Sequence, residues 1–541
     1  MKELPVLQNL PGPLADISAD ADETVFPPLG PSIRVLMVWP RLPPSFWGFG
    51  GMLKLIPEKS IMPPLGLITI ASLCPVKWQI RLIDRAFDPL TDDDLLWADL
   101  IMISAMHAQR ADTHSLLERG RQLNRRTMVG GPYASSQPKT LLRYADHVVV
   151  GEPDEVFQNI ALDLENGTAR RLYDISEKPD LTKSPLPRFD LLKRTRYTSM
   201  PVQFSRGCPF QCEFCDIITI YGRRPRTKTP TQVIRELDTL RTLGWRKQVF
   251  IVDDNFIGNR KRALELAHEL ADWQTRNRHP FTFYTEASLD LAQESDLIDA
   301  MVKANFIYVF IGVESPSVEA LNETRKFQNL RADPLECIRH IQRRGLWVTG
   351  GFIVGFDSDD ARIFDRQAEF IERSGIAWAM AGILQAPPTT PLFDRMRREG
   401  RLIETSMATS NFSPPNFRTT LPLNTILGGL ARLLMTIYEP SRFYERSLRS
   451  LHYWNPQPQQ HKPPVPFLYQ VGIVLRSMWI QGVRGSYRAE YWRYLGRLIA
   501  RWGKDPRKVW LGFIILMSGH HFIHYAAAVA QEMEQECAKQ S

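Results

Sequence analysis

The sequence predicts an α/β protein that consists of two successive parallel-sheet units and a helical C-terminal region. Short apolar runs alternate with amphipathic stretches between residues 33 and 165, and the same alternation returns between 201 and 390. Strands that alternate with helices are typical of βαβ units, in which the strands run parallel. Residues 391–541 are helical and aromatic in pattern, and a Pro-rich loop at 455–466 interrupts them.

The length of the chain predicts several domains. At about 100–200 residues per domain, 541 residues correspond to three or four domains. Residues 1–30 are rich in Pro and acidic residues, which is typical of a disordered arm. The predicted boundaries are 1–30 for this arm, 31–165 for a Rossmann-like α/β domain, 166–200 for a Pro-broken linker, 201–390 for a barrel and 391–541 for the helical region.

Composition and charge narrow the class of protein. The chain is 44% hydrophobic and 23% charged, with a formal net charge of +8, which is ordinary for a globular protein with a mildly basic surface. Such a surface suits an acidic redox partner or anionic lipid. No basic run carries interleaved aromatics, so we expect no nucleic-acid partner. The chain begins without a secretory signal, and three of its six cysteines cluster, so we expect a reducing cytosol.

The first unit is predicted to be a parallel sheet with its ligand at the carboxyl ends of the strands. Helices are expected at 64–74, entered through Pro63-Pro64, and at 112–126, where the pattern is amphipathic. The predicted strands are 33–40, 78–84, 98–106, 127–135 and 146–155.

The second unit is predicted to be a partial (βα)6 barrel of the TIM type. A helix-like stretch follows each strand, as at 259–274. Chemistry in such barrels lies at the C-terminal ends of the strands. The six predicted strands are 201–207, 248–255, 281–288, 306–315, 346–356 and 379–388.

The stretch "SRGCPFQCEFCDI" places three cysteines, Cys208, Cys212 and Cys215, directly after the first barrel strand. Three thiolates in a reducing compartment usually bind metal. Structural zinc prefers four ligands, and no second Cys or His pair completes such a set here. A cubane iron–sulfur cluster takes one cysteine per iron, so three cysteines leave one iron free for another ligand. A zinc site and a chance cluster of cysteines are the alternative interpretations.

The C-x3-C-x2-C spacing, with Phe214 just before the last cysteine, resembles the radical S-adenosylmethionine (SAM) family. The resemblance implies a [4Fe-4S] cluster whose open iron is chelated by SAM, and one-electron cleavage of SAM to a 5′-deoxyadenosyl radical. A cationic sulfonium favours carboxylates around it. Acidic and amide side chains recur at the predicted strand ends, although each one alone is as typical of a helix N-cap. The SAM-binding residues expected from this resemblance are Phe214, Asp253, Asp254, Asn255, Glu286 and Glu314.

The first unit resembles the cobalamin-binding domain of cobalamin-dependent radical SAM enzymes in "MPPLGLITIASL", "ADLIMISAM", "VGGPY" and "VVVGEPDE". By position, the resemblance implies that Ser104, Met106, Gly130 and Gly131 contact cobalamin. A flavodoxin-like domain, in which Gly130-Gly131 only forms a turn, is the alternative. The segment "IDRAFDPL" has no histidine where a D-x-H-x-x-G segment would supply one, so cobalt should lack a protein histidine beneath it.

Six segments resemble the hopanoid C-2 methylase subfamily, namely "GCPFQCEFCDI", "YGRRPRTKTP", "VDDNFIGNRK", "GVESP", "LQAPPTTPLFDRMRREGRL" and "HHFIHYA". The segments "WGFGGMLKLIPEKSIMPP" and "LNETRKFQNLRADP" lie outside this resemblance. It implies a methyltransferase that acts on an unactivated carbon of a hydrophobic substrate, hopanoid or another lipid. The alternatives are a radical SAM cyclase or oxidative enzyme without methyl transfer, and a non-catalytic cobalamin or iron–sulfur sensor.

The expected partners are a hydrophobic small molecule and an acidic flavodoxin or ferredoxin that delivers the electron. We expect a cytoplasmic protein, with peripheral contact to the inner membrane left open. The apolar stretch 509–530 is long enough to span a bilayer, but three histidines interrupt it. A packed C-terminal helix is therefore the favoured interpretation over membrane contact.

Overall fold

The computed structural model describes residues 26–403, 412–461 and 466–540. Most of the predicted arm, residues 1–25, lies outside these ranges. Within them, the Leu29 amide donates a hydrogen bond to the Leu164 carbonyl, at 3.0 Å, and so fastens the start of the described chain to the first domain.

The first domain is built on a six-stranded parallel sheet with the order β2-β1-β3-β4-β5-β6. Its four central strands, β1, β3, β4 and β5, are largely buried, because helices cover both faces, while the edge strands β2 and β6 are more exposed. The five predicted strands are confirmed. A sixth strand lies at one edge, in the stretch predicted as a linker. The strands are β1 (Arg34–Trp39), β2 (Gln79–Asp84), β3 (Leu100–Ser104), β4 (Arg126–Gly130), β5 (His147–Gly151) and β6 (Leu172–Ile175).

Helices follow the strands as the sequence predicts. Three aspartates in the first turn of α3 suit the positive end of its dipole, and Thr91 forms a capping box with Asp94. The helices of this domain are α1 (Gly50–Leu53), α2 (Leu65–Leu73), α3 (Asp92–Trp97), α4 (Arg110–Gln122), α5 (Pro132–Ser136), α6 (Pro138–Leu141) and α7 (Phe157–Asn166).

The second domain is a partial barrel of six parallel strands with the order β7-β10-β11-β12-β13-β14. All six predicted strands are present, and β7 and β14 form the two ends of the open sheet. A short antiparallel hairpin, β8–β9, follows β7. The strands are β7 (Ser199–Val202), β8 (Ser205–Arg206), β9 (Arg226–Thr227), β10 (Gln248–Ile251), β11 (Thr282–Ala287), β12 (Phe306–Glu314), β13 (Trp347–Val354) and β14 (Ala379–Ile383).

The barrel helices pack their apolar faces on the outside of this sheet. Thr229 caps α9 with a capping box, and Gly375 ends α14 in the left-handed conformation that glycine adopts without strain. The helices are α8 (Ile217–Ile220), α9 (Pro230–Thr242), α10 (Arg260–Arg276), α11 (Ser295–Lys303), α12 (Val318–Glu323), α13 (Pro334–Arg343) and α14 (Ile363–Ser374).

The C-terminal region is helical, as predicted, and its last helix packs against the others. Phe522 and Ile515 of that helix are fully buried, at 0% exposure. It is long and apolar enough to cross a membrane, yet 56% of its most apolar window is buried inside the protein. The helices are α15 (Pro391–Arg398), α16 (Leu423–Ile437), α17 (Pro440–Tyr453), α18 (Phe467–Ser477) with a π-turn at Met478–Val483, α19 (Arg488–Trp502) and α20 (Pro506–Gln540).

One segment of the first domain joins all three parts of the chain. It follows β1, and its Phe49 ring packs against Trp378 before β14 and against Phe522 of α20. His521 of α20 is buried; its Nδ1 accepts a hydrogen bond from the Gly51 amide at 3.3 Å, and its Nε2 donates to the Phe46 carbonyl at 3.1 Å. The first domain is therefore locked to the C-terminal helix beside the barrel.

We expect Gly51→Ala to lower the melting temperature. A Cβ at Gly51 would lie 2.6 Å from the His521 Cα, so α1 and α20 must separate, at a cost of about 1–3 kcal/mol. Gly50→Ala is the matched control, because its Cβ meets nothing within 4 Å. Equal melting temperatures for the two variants in a calorimetric scan would contradict the close contact.

Candidate functional site

The three clustered cysteines lie in a loop beside the hairpin β8–β9, at the carboxyl end of β7. The Cys208 amide donates to the Gly222 carbonyl at 3.2 Å, and the Cys215 amide donates to the Cys212 carbonyl at 3.1 Å. Cys212 is buried, and the other two are partly exposed. Backbone hydrogen bonds thus fix the loop independently of the thiols.

A buried ion-pair network fastens this hairpin to the first domain. Glu152, just after β5, accepts from Arg206 at 2.8 Å and from Arg226 at 2.7 Å. Asp154 accepts a further bond from Arg206 at 2.9 Å. Glu152 is 5% exposed, so leaving it unpaired would be costly. The carboxyl edge of the first sheet therefore touches the cysteine loop's base.

A second anchor holds the middle of the cysteine loop from the other side. The Glu213 carboxylate accepts a two-pronged bond from Arg395 of α15, at 3.0 and 3.1 Å. Its amide donates to the Thr324 carbonyl at 3.0 Å, and its carbonyl accepts from the Leu392 amide at 2.9 Å. The segments after β12 and β14 are thereby tied to the residue next to Cys212.

Two buried amides point at the sulfur atoms. The Gln328 Nε2 lies 3.5 Å from the Cys212 Sγ, and the Asn255 Nδ2 lies 3.9 Å from the Cys208 Sγ. The Gln328 Oε1 is buried with no hydrogen-bond partner among the described residues. Hydrogen bonds to thiolate sulfur are one of the means by which proteins tune iron–sulfur centres.

Lys326 brings a buried positive charge close to the thiols of the cysteine loop. Its Nζ lies 2.6 Å from the Glu314 Oε1, and it stands 5.9 Å from the centre of the Phe214 ring. Although burial opposes the charge, Glu314 and the nearby thiols of Cys212 and Cys215 raise the pKa of Lys326 above its usual range. An ammonium here offsets the negative charge that thiolates bring.

The backbone geometry of Glu314 directs its carboxylate towards this lysine. Glu314 has a φ of +64°, a conformation that is strained for any residue other than glycine. A Cβ at Gly312 would lie 2.3 Å from the Glu314 Oε1, so only glycine leaves room for the ion pair. Glu314 thus lies at the end of β12 with one carboxylate oxygen engaged by Lys326, and its expected contact with SAM stays a prediction.

Asp253 supports the cysteine loop from below. Its carboxylate accepts from the Phe204 amide at 2.8 Å, the Ser205 amide at 2.9 Å and the Ser205 hydroxyl at 2.6 Å. Burial raises its pKa to about 6. These bonds assign Asp253 a positioning role for the strand that leads into the loop, and its predicted contact with SAM stays a prediction.

Asp254 and Glu286 are the carboxylates that remain available. Burial, together with the charges of Asp253 and Asp216, raises the pKa of Asp254 to about 7. Burial, followed by the charges of Asp254 and Glu314, raises the pKa of Glu286 to about 8. The Glu286 carboxylate makes no hydrogen bond to any residue in the described ranges. Two adjacent carboxylates that repel each other favour a cationic ligand between them.

Asn255 begins a series of hydrogen-bonded polar side chains that extends away from the mouth. It exchanges bonds with Ser288 at 3.2 and 3.3 Å, and the Ser288 hydroxyl donates to Asp290 at 2.5 Å. Asp290 in turn pairs with Arg260 and Arg331. This series fixes the orientation of the Asn255 amide towards Cys208.

Aromatic rings line the barrel interior below the carboxylates. Phe250 and Tyr284 stack at 4.5 Å, and Tyr284 and Tyr308 stack at 4.6 Å. Phe310 meets Trp47 at 4.6 Å, edge to face, and Trp47 belongs to the loop after β1 of the first domain. The inward face of these strands is therefore rich in aromatic rings, and the first domain contributes Trp47 to it.

The predicted cobalamin contacts lie together at the carboxyl edge of the first sheet. Ser104 and Gly130 are register partners at the ends of β3 and β4. Gly131 has a φ of +90°, and a Cβ there would lie 2.7 Å from the Ser104 Oγ. This edge exposes large apolar side chains, namely Leu42 (43% exposed), Trp47 (43%), Met62 (39%) and Met106 (38%).

An exposed apolar shelf of this kind fits a corrin ring, which is broad and largely apolar. At the end of β2, where a histidine could approach cobalt, the chain has Asp84, Ala86 and Phe87. The Asp84 carboxylate accepts from the Ala86 amide at 2.9 Å and from the Tyr197 hydroxyl at 3.0 Å. Burial raises its pKa to about 6. The residues present fit cobalamin without a histidine ligand from this position.

The geometry of the thiols also bears on the metal. Among the described residues, no three His, Cys, Asp or Glu side chains are spaced to hold a single metal ion. The three cysteines are close enough for the charge of Cys212 to affect the pKa of both Cys208 and Cys215. This arrangement fits a cluster of several metal atoms better than a single zinc ion.

Several residues of this site have no signal in the sequence analysis. Lys326, Gln328 and Asn329 come from a polar stretch after α12, and Glu213 and Arg395 lie in charged segments. Nothing in a single sequence distinguishes such residues from a solvated surface. Two of them belong to the segments that resemble the hopanoid-type subfamily, namely Glu213 and Arg395.

Family models match three consecutive parts of the chain. Residues 57–161 match the B12 binding domain, and residues 202–371 match the Radical SAM superfamily. Residues 390–535 match a domain of unknown function, DUF4070.

Two curated relatives match the chain over nearly its whole length. An uncharacterised methyltransferase of Synechocystis sp. is 38% identical over 93% of this chain and 94% of its own. The hopanoid C-2 methylase of Rhodopseudomonas palustris is 32% identical over 92% of this chain and 94% of its own. Among solved structures, the cobalamin-dependent SAM radical enzyme OxsB with aqua-cobalamin bound aligns at a TM-score of 0.57 and 15% identity, over 94% of this chain and 80% of that one. That likeness shows the fold.

We expect Glu286→Gln to stabilise the protein without its cofactors, increasingly so as the pH rises. The folded-state pKa of Glu286 is raised from 4.5 to about 8, so its contribution to stability is present at low pH and is lost as pH rises through about 8. The variant has no titratable carboxylate at this position, so its stability does not fall with this titration. The difference in melting temperature should therefore grow by a few degrees between about pH 6 and about pH 9.

Glu369→Gln on the exposed face of α14 is the control for this change. Its melting temperature should follow that of the parent protein across the same pH range. A Glu286→Gln variant that melts below the parent at high pH would show that the carboxylate is needed for the fold rather than held against repulsion.

Proposed function

This chain belongs to the family of cobalamin-dependent radical SAM methyltransferases that includes hopanoid C-2 methylase, and on that premise we propose that it methylates an unactivated carbon of a hydrophobic lipid. Support for a hydrophobic substrate comes from the barrel interior. Its stacked rings offer apolar surface and few polar groups, which suits a hydrocarbon skeleton better than a polar metabolite.

The cofactors divide the work with the protein. When bound, the [4Fe-4S] cluster and SAM supply one-electron cleavage of a C–S bond, and cobalamin supplies the methyl group. We assign Cys208, Cys212 and Cys215 as the thiolates that hold the cluster. Gln328 and Asn255 would orient and polarise two of the sulfur atoms, and Lys326 would offset their charge.

The carboxylates and the first domain have separate tasks in this scheme. Asp254 and Glu286 would face the cationic part of SAM, with Phe214 and Glu314 beside it. Ser104, Met106, Gly130 and Gly131 would meet the corrin ring. The aromatic walls around Trp47 and Phe310 would hold the substrate and exclude water.

The single observation that carries this proposal is the contact of Trp47 with Phe310. The loop that leaves the carboxyl end of β1, beside the predicted cobalamin shelf, reaches into the barrel interior and contributes to its wall. Methyl transfer from that shelf and hydrogen abstraction at the barrel mouth would then take place on the same substrate. A sensor has no need of such an arrangement.

The proposal also includes an electron donor. The net charge of +8 suits an acidic flavodoxin or ferredoxin as the donor. The cyclase and oxidative alternatives differ from methyl transfer in the mass of the product.

The direct test is an anaerobic incubation of the reconstituted protein with SAM, cobalamin, a reductant and a bacterial lipid extract. We expect 5′-deoxyadenosine and a lipid heavier by one CH2 group. Formation of 5′-deoxyadenosine with a product of altered hydrogen count and no added carbon would favour the cyclase or oxidative alternative. A reduced, loaded protein that forms no 5′-deoxyadenosine with any lipid fraction would favour the sensor.

We expect Cys212→Ala to abolish cluster binding, because a buried thiolate ligand is lost. Cys337→Ala is the matched control, since Cys337 is buried to the same extent, 8% against 7% exposed, and lies in α13. After anaerobic reconstitution, iron, sulfide and visible absorbance should fall in the first variant only. Equal iron content in the two variants would remove Cys212 from the ligand set.

We expect Trp47→Ala to separate SAM cleavage from methylation. The variant loses an aromatic wall worth about 1–2 kcal/mol of substrate contact, so methylated product should fall roughly tenfold. Production of 5′-deoxyadenosine should continue, because the cysteine loop and its carboxylates are untouched.

Trp479→Ala, assayed with detergent-dissolved substrate, is the control for Trp47→Ala, because Trp479 is a half-exposed tryptophan outside the barrel. Its methylation rate should equal that of the parent protein. If Trp47→Ala also methylates at the parent rate, the substrate lies elsewhere.

A further inference from the structure

The C-terminal helices α18 and α19 carry a concentration of exposed apolar side chains. Seven of the eighteen large apolar residues exposed in the described chain fall between 467 and 499. Single exposed apolar residues are ordinary, whereas a group of this size marks an interaction surface. The group consists of Phe467 (76% exposed), Leu468 (83%), Leu475 (60%), Trp479 (53%), Val483 (50%), Trp492 (44%) and Ile499 (49%).

The spacing of these residues places them in stripes. Along α18 and its π-turn, Leu468, Leu475, Trp479 and Val483 are separated by seven, four and four residues, which keeps them on one side of a helix. On α19, Trp492 and Ile499 are likewise seven residues apart.

The two stripes meet at the π-turn. The Trp492 Nε1 donates to the Gly482 carbonyl at 2.9 Å, so this ring lies directly against the turn. The Arg484 guanidinium lies over the Trp479 ring at 5.2 Å from its centre. Tryptophan beside arginine at the edge of an apolar stripe is typical of side chains at a bilayer interface.

The charge of this surface selects the partner. Residues 466–504 contain seven basic residues and one acidic residue, Glu490. Within the described chain only Arg493 and Arg497 of the seven form ion pairs, with Glu490 and Glu445 respectively. The basic residues without an ion pair there are all exposed, namely Arg476, Arg484, Arg488, Arg501 and Lys504. Arginines left free around apolar side chains suit anionic headgroups.

A cavity beside α19 adds to this charge. It has a volume of about 580 Å³ and is bordered by Arg449, Arg497 and Arg501 together with Glu445, which pairs with Arg497. A volume of that size admits a phosphate-bearing headgroup.

We propose that the exposed faces of α18 and α19 dock onto the surface of an anionic phospholipid bilayer. The helices would lie in the interface, with Leu468, Leu475 and Trp479 inserted and the arginines at headgroup level. The apolar helix α20 offers less free surface for this contact, because 56% of its most apolar window is buried inside the protein.

The opposite side of α18 connects this surface with the barrel. The Tyr469 hydroxyl donates to the Glu58 carboxylate at 2.7 Å, and Ile473 packs with Leu55 and Ile56. These residues continue the segment that carries Trp47. Docking of this surface onto a membrane does not depend on the proposed function. A role of the surface in delivering a membrane lipid to the barrel interior does depend on it.

The first test is flotation with vesicles of phosphatidylcholine alone and with a third of the lipid replaced by phosphatidylglycerol. We expect the cofactor-loaded protein to float with the anionic vesicles, and high salt to release it. Leu468→Glu/Leu475→Glu should weaken binding tenfold or more. Leu162→Glu/Val318→Glu is the matched control, since these residues are 54% and 56% exposed elsewhere, and it should bind like the parent.

Three outcomes would overturn the proposal. Equal binding to neutral and anionic vesicles would remove the role of the arginines. Equal binding by the two double variants would place the contact elsewhere. A parent dimer that Leu468→Glu/Leu475→Glu converts to a monomer in light scattering, with unchanged flotation, would show that the face pairs two copies of this chain.

A second measurement separates this proposal from the proposed function. Leu468→Glu/Leu475→Glu should methylate detergent-dissolved substrate at the parent rate and vesicle-borne substrate several-fold more slowly. A parent protein that floats with vesicles but methylates neither form would leave the docking surface standing and remove the proposed function. Equal rates of the variant and the parent on vesicle-borne substrate would remove the surface's part in delivery.

Discussion

The site depends on the way in which negative charge is held at the mouth of the barrel. Three thiols and the carboxylates of Asp254, Glu286 and Glu314 meet there, in surroundings dry enough to raise the pKa of both Asp254 and Glu286. Within the described chain, Lys326 is the cation in contact with this group, and Glu314 already engages it. Without a ligand, the raised pKa of Asp254 and of Glu286 keeps these carboxyl groups partly protonated near neutral pH, which limits their repulsion. A ligand that brings positive charge therefore relieves the repulsion between these carboxylates, which favours its binding.

The anchors around the cysteine loop hold this arrangement against its own repulsion. Glu152 of the first domain pairs with Arg206 and Arg226 at the base of the loop, and Glu213 within the loop pairs with Arg395. Glu152 belongs to the first domain, while Arg395 belongs to α15. The loop is thus positioned jointly by the first domain, the barrel and the C-terminal region.

The sequence was sufficient for the sheets and for the thiols, because both depend on local signals. Apolar runs mark the buried strands, and the strand-end acids follow them directly. The strand β6 was missed because it is a half-exposed edge strand with no apolar run. Lys326 was missed for a different reason. Its burial follows from packing of a polar turn against the cysteine loop, and a charged turn has the same pattern whether it is buried or solvated. Likewise, a strand-end acid such as Asp253 has the same pattern whether it faces a ligand or binds backbone amides.

The two segments outside the family resemblance turn out to occupy connected positions. One carries Trp47 at the barrel wall and continues to Glu58, which meets Lys247 before β10 and Tyr469 of α18. The other carries Lys326 beside the thiols. In the function proposed above, the first segment would contact the substrate through Trp47, whereas Lys326 of the second segment lies beside the thiols of the cluster loop. In the function proposed above, the chemistry would be common to the family, and the wall from Trp47 to α18 would take part in selecting the lipid.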